Sequence, residues 1–144
     1  MRVSVVTPIK LAWYHRIVLL LISFSLLGLF GLAATLQPDK RGYGTHEQFG
    51  LSPCWFVEHW NMRCPSCGMT TSWAHLTRGE IWGSLRANSG GTALAVLALW
   101  LSWVLLASAL RGYWIGKLPG SRADVVIALT VGMVICVDWI IRLL

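Results

Sequence analysis

Three long apolar runs, separated by polar stretches, set the pattern of this chain. The first, Ile17 to Leu36, reads IVLLLISFSLLGLFGLAATL and carries no charge. A helix over it reaches about 30 Å, the hydrocarbon thickness of a bilayer. The second run centres on Thr92 to Leu110, and no charge falls between Arg86 and Arg111. The third, Val125 to Ile141, holds a single charge, Asp138. The pattern predicts an all-α, polytopic membrane protein with three transmembrane helices, at about 17–36, 90–110 and 125–142. Residues 1–144 then form one membrane domain, and 37–91 its one long loop.

Within that loop, Gln37 to Leu51 is polar and broken by Pro38, Gly42, Gly44 and Gly50, which predicts irregular structure. Ser52-Pro53 reads as a helix start, with Ser as N-cap and Pro at the first helical position. The short helix after it would run from Cys54 to about Asn61, with Phe56 and Trp60 on one face. Gly68 to Arg78 is the next helical stretch, with Met69, Trp73 and Leu76 as its apolar stripe and Gly79 as its C-cap. Glu80 to Ala87 forms one more short piece. These helices are too short and too polar to span, so they are expected to lie on the membrane surface.

Composition reinforces the membrane reading. The chain is 56% hydrophobic and 12% charged, against about 25% charged in an average soluble domain. Lys and Arg number 12 against 6 Asp and Glu. These cations are scattered around the apolar runs, as in membrane topology signals, and do not form the stripe that binds nucleic acid. The leader carries Arg2, Lys10 and Arg16, and the 111–124 loop carries Arg111, Lys117 and Arg122. Basic density is highest in those two places, so both are expected in the cytoplasm. The 37–91 loop and the C-terminus then lie outside, at a bacterial inner or plasma membrane. The first run exceeds the usual length of a signal-peptide core, so it is read as a retained anchor despite the Gly31-Leu32-Ala33 triplet.

The loop holds the chemistry. Cys64-Pro65-Ser66-Cys67-Gly68 places two thiols three positions apart, just before a predicted helix whose N-terminus favours a thiolate. Such a pair can form a structural disulfide, cycle as a redox site, or supply two corners of a metal tetrahedron. The metal reading needs more ligands, and Cys54 and His75 supply them in the order Cys54-x9-Cys64-x2-Cys67-x7-His75, with zinc or copper as the ion. His75 on an interfacial helix reads more simply as a headgroup-facing side chain. A redox site of the thioredoxin kind would need a strand before the motif, and the context here is helical. Cys136, inside the third run, reads as a small buried residue. Asp138 is the one acid within a span, a functional flag by default. Its simpler reading is an i, i+4 pair with Arg142 that snorkels to the interface. No serine-hydrolase, zinc-protease or phosphate-loop signature is present.

The segment from Cys64 resembles a family of small, uncharacterised bacterial membrane proteins, a domain of unknown function. The resemblance rests on Cys64, Pro65, Cys67, Gly68 and Thr70, then Arg78-Gly79-Glu80 and Arg86-Ala87-Asn88, and it covers about residues 50 to 110. Two positions depart from the family pattern: its Arg after Thr is Thr71 here, and its Pro after Asn is Ser89. Any phosphate or partner contact of that Arg would fall here to Arg63 or Arg78. The resemblance implies a helical membrane protein with a motif loop and supplies no reaction.

Three functions follow as expectations. The first is an accessory or interaction module, not an enzyme, whose loop is held by a disulfide or a metal. Its partners would be the lipid bilayer and another membrane protein or a second copy, with no nucleic acid. The second is a membrane thiol-disulfide oxidoreductase using Cys64 and Cys67. The third is a metal-handling protein using Cys54, Cys64, Cys67 and His75.

Overall fold

The computed structural model describes residues 9–115 and 122–143. Its helices are α1 (Trp13–Thr35), α2 (Trp55–Trp60), α3 (Met69–Leu76), α4 (Ile81–Ala87), α5 (Ser89–Arg111) and α6 (Arg122–Leu143), with a 3₁₀ turn at Thr45–Phe49. No strand occurs among the described residues; Lys10 and Tyr113 form an isolated bridge. α1, α5 and the stretch of α6 from Asp124 are long and apolar enough to cross a membrane. The chain is therefore a helical membrane protein, as the three apolar runs predict. Arg2 and Lys117, two of the cations in the orientation reading, lie outside the described residues.

α1 and α5 pack antiparallel. At one end Leu11 N–H donates to Gly112 O at 2.9 Å and Trp114 N–H to Ile9 O at 3.0 Å. Arg16 Nε donates to Ala109 O at 2.7 Å, covering a carbonyl that the end of α5 leaves unpaired. The buried residues of the two helices are mostly small. Ala95, Ser102, Leu105, Ser108 and Ala109 of α5 are buried, as are Ser23, Phe30 and Ala33 of α1. Lipid tails are as apolar as leucine, so burying large apolar groups gives helices little reason to associate. Small residues instead let the backbones approach, and Ser23 Oγ donates to Ser102 O at 2.9 Å.

At the other end the chain between α1 and α5 folds into a cap. α3 and α4 sit against the start of α5. Three hydroxyls join them: Ser72 Oγ lies 2.9 Å from both Ser84 Oγ and Thr92 Oγ1, and those two are 2.8 Å apart. Thr71 Oγ1 meets Thr45 Oγ1 at 2.8 Å, tying α3 to the 3₁₀ turn. Trp73 stacks on Phe30 of α1 at 4.7 Å between ring centroids and donates its Nε1–H to Gly91 O at 2.9 Å.

Several local expectations are corrected. The buried face of α3 is Thr71, Ser72 and Ala74, while the Met69-Trp73-Leu76 stripe is half-buried. The hydroxyls go inside because each finds a partner there, whereas apolar side chains can face lipid. α2 begins two residues late, with Cys54 and not Ser52 in the N-cap position. The irregular 37–51 stretch contains the 3₁₀ turn, held between Gly44 and Gly50 in left-handed conformations. Cys136 is exposed and not buried. α6 meets α5 through another part of its surface, where Ile135 presses on Gly90 so closely that a Cβ there would fall 2.6 Å away.

The hydroxyl triad gives a direct test. Thr92→Val keeps shape and removes one member, leaving two buried hydroxyls short of a partner. Destabilisation by about 1–3 kcal/mol is expected, read as a lower melting temperature in detergent. Thr130→Val, on an exposed hydroxyl bonded within its own helix, should leave the melt unchanged.

Candidate functional site

The Cys64–Gly68 loop is shaped by its own sequence. Pro65 opens a turn in which Cys67 N–H donates to Cys64 O at 3.0 Å. Gly68 then takes a left-handed φ of 87° as the N-cap of α3. A Cβ at this position would lie 2.5 Å from Ala87 O and 2.6 Å from Gly42 O. Glycine is thus required twice, for its backbone angle and for the close approach of two other segments.

The turn brings the thiols together. Cys64 Sγ and Cys67 Sγ are 3.2 Å apart, and Cys64 N–H points at Cys67 Sγ at 3.3 Å. Cys54 arrives from the start of α2, and the three sulfurs lie within 4.8 Å of one another. All are free thiols. They line a cavity of about 260 Å³ that also borders His46, Glu47 and Thr70.

The two motif thiols differ in acidity. Burial pushes Cys64 up, but hydrogen bonds from Ser66, Cys67 and Cys54 outweigh it and hold Cys64 below the ordinary thiol range. Burial pushes Cys67 up as well, and its contacts with the Cys64 and Cys54 thiols add to that, taking it to about 12. Cys64 is therefore the more acidic thiol of the pair, and Cys67 the one that holds its proton more tightly.

Behind the thiols, the loop carbonyls are clasped from two sides. Asn88 is 1% exposed. Its Nδ2 donates to Pro65 O at 3.2 Å and Cys67 O at 3.1 Å, while its Oδ1 accepts from Gly91 N–H at 2.6 Å and caps α5. Arg142 of α6 donates to the same two carbonyls, to Cys67 O at 2.6 Å and Pro65 O at 3.2 Å. Its guanidinium also lies 2.6 Å from Asp138 Oδ2, and the two side chains are 9% and 13% exposed. Asp138 Oδ1 in turn accepts from Ser89 N–H at 3.2 Å and Ser89 Oγ at 2.6 Å. Trp139 Nε1 donates to Arg63 O at 2.7 Å.

The sequence candidates divide accordingly. Cys54, Cys64 and Cys67 converge. His75 does not join them: its Nδ1 is 2.5 Å from Glu80 Oε2, and its ring packs on Gly83. The Asp138–Arg142 pair forms, but it turns inward onto the motif loop and does not snorkel. His46 lines the same cavity as the thiols, yet no spacing in the sequence ties a histidine eight residues before Cys54 to the motif. Arg142 acts through the backbone of the loop, which no residue pattern announces. Ser89, where the resembled family has Pro, supplies two donors to Asp138 that a proline could not.

Asp138→Leu should destabilise the protein by about 3–5 kcal/mol, because it leaves the Arg142 cation buried without its counter-ion. Asp138→Leu combined with Arg142→Met should recover much of that loss. Melting temperatures of the single and double variants in detergent check both expectations, and equal losses in the two would contradict them.

No curated protein and no solved structure matches the chain. Residues 54–102, which run from the first clustered thiol through Asn88 to the middle of α5, match the family model described as protein of unknown function (DUF2752).

Proposed function

We propose that this is a small integral membrane protein whose cap holds a soft metal ion, zinc(II) or copper(I), on Cys54, Cys64 and Cys67. The metal staples the cap, and the protein serves as an accessory or interaction module of a bacterial inner membrane. The observation that carries this reading is the convergence of three thiols from two separate segments within 4.8 Å. A disulfide staple would use two sulfurs and needs no third beside it. Thiolates about 2.3 Å from a zinc ion stand about 3.8 Å from one another in a tetrahedral set, close to the spacing found. The cavity leaves room for a fourth ligand, with His46 and Glu47 on its border. A soft ion suits a thiolate set, and binding it would take the proton from Cys67. The cap is taken as extracytoplasmic, because Lys10, Arg16 and Arg111 lie at the opposite end of the bundle.

The unequal acidities of Cys64 and Cys67 favour a second reading, a thiol-disulfide oxidoreductase. There the Cys64 thiolate attacks a partner's disulfide and forms a mixed disulfide. Cys67 then resolves it, leaving Cys64–Cys67 oxidised and the partner reduced by two electrons.

Elemental analysis of protein purified in detergent under reducing conditions separates the two. The metal reading expects about one zinc or copper per chain, set by one three-thiolate site, and loss of that ion in Cys54→Ser. Metal-free protein that melts as usual, with Cys67→Ser trapping a partner through Cys64, would replace it with the redox reading. Alkylation of the metal-stripped chain across pH has its own expected order. Cys64 reacts first, at a pH below that of an ordinary thiol, and Cys67 stays protected until the pH nears about 12.

A further inference from the structure

The cap holds a second cavity, of about 390 Å³, bounded by the 38–42 loop, Arg63 and the His75, Gly83 and Arg86 side of α3 and α4. Its lining carries four permanent cations, Lys40, Arg41, Arg63 and Arg86, and one acid, Asp39. Arg41 is already neutralised: it lies 2.8 Å from Asp39 Oδ2 and 2.9 Å from Glu47 Oε2. That pairing holds the Asp39 carboxyl below the usual carboxylate range and raises the Arg41 guanidinium above its own. Both nearby acids are therefore committed to one arginine. The remaining acid of this region, Glu80, is taken by His75.

Three cations are left without a carboxylate. Arg63 donates to Arg41 O at 3.1 Å and lies over the Tyr43 ring at 4.5 Å, an arrangement that fixes the guanidinium without neutralising it. Lys40 and Arg86 have no polar partner among the described residues. Counting Asp39 and Glu47 against all four cations, the concavity keeps a positive excess, which an entering anion would offset. Beside Arg86 on the same short helix, Ile81 is 60% exposed and Trp82 is 77% exposed. An exposed Trp and Ile on a helix at the end of three apolar spans belong at the headgroup layer, where a lipid phosphate is the abundant anion.

We propose that this cavity is a phosphate site, occupied by the headgroup phosphate of an anionic phospholipid and charged by Lys40, Arg63 and Arg86. Arg63 binds through its fixed planar fork, Lys40 and Arg86 close on the remaining oxygens, and Trp82 seats beside the acyl chains. The site is independent of the thiols and of what they hold.

Native mass spectrometry of the full chain in neutral detergent tests this against three probes: short-chain phosphatidic acid, phosphatidylcholine of the same chain length, and inorganic phosphate. Phosphatidic acid adducts are expected to exceed phosphatidylcholine adducts at equal concentration. The double variant Lys40→Gln/Arg86→Gln should reduce that preference by about tenfold or more, whereas Lys40→Arg/Arg86→Lys should keep it. Unchanged melting of both double variants shows that the cap remains folded. Binding of inorganic phosphate in place of the lipid, lost in the same Gln variant, keeps the phosphate site and assigns it to a free anion. Equal retention of the two lipids with no phosphate bound, or a preference that survives in the Gln variant, overturns the proposal.

Discussion

Two backbone carbonyls, those of Pro65 and Cys67, are the point on which the cap depends. Each accepts from Asn88 and from Arg142. Asn88 stands at the junction of α4 and α5, where its N–H closes the last turn of α4 onto Ser84 O and its side chain caps α5. Arg142 is the last charged residue of α6. Through two carbonyls, the motif turn, the α4–α5 junction and the end of α6 meet at one place. A buried carbonyl has two lone pairs to satisfy, and filling both makes the turn rigid. The thiols are thus presented by a loop whose backbone is held from behind, leaving the sulfurs toward the cavity.

The same economy governs the rest of the cap. A soluble domain of this size would fill the space between α3, α4 and α5 with large apolar groups. Here that space holds Ser72, Ser84 and Thr92, all bonded to one another. Against a bilayer the apolar groups have little reason to turn inward, and the small hydroxyls that do so satisfy one another. Phe, Leu and Trp therefore accumulate on the outside of the helices, and small hydroxyl residues become the glue.

Much of this was legible in the sequence, and the part that was not has a physical cause. Long apolar runs, with Asp138 the one charge among them, mark the three spans, because a helix satisfies its own backbone over that length in lipid. The grouping of Cys54 with Cys64 and Cys67 followed from ligand chemistry. Ligand chemistry admits His75 on the same grounds, but chain order cannot tell which face of α3 meets the thiols. Glu80, one turn on, captured it. The placement of Arg142 was beyond a pattern reading, because its partners are main-chain oxygens, and every residue has one. Asp138 stands out in the sequence as an intramembrane acid with a cation four residues on, and the two side chains pair. Whether such a pair faces water or protein is decided by what the loop offers, and this loop offers two carbonyls.

That pairing also bears on the two departures from the family pattern. A proline following Asn88 would suit the first turn of α5 but could donate nothing. Ser89 occupies that turn and sends both its N–H and its hydroxyl to Asp138 Oδ1. The carboxylate so held can face Arg142 with its other oxygen, which orients the guanidinium toward the loop carbonyls. Thr71, standing where the family pattern has Arg, is fully buried against Thr45 and has no space for a guanidinium. Here a cation supplied from α6 reaches the motif loop, while the position in α3 is given to packing. The two departures lie on one connected set of contacts around the Cys64–Gly68 turn, and each makes sense in the presence of the Asp138–Arg142 pair.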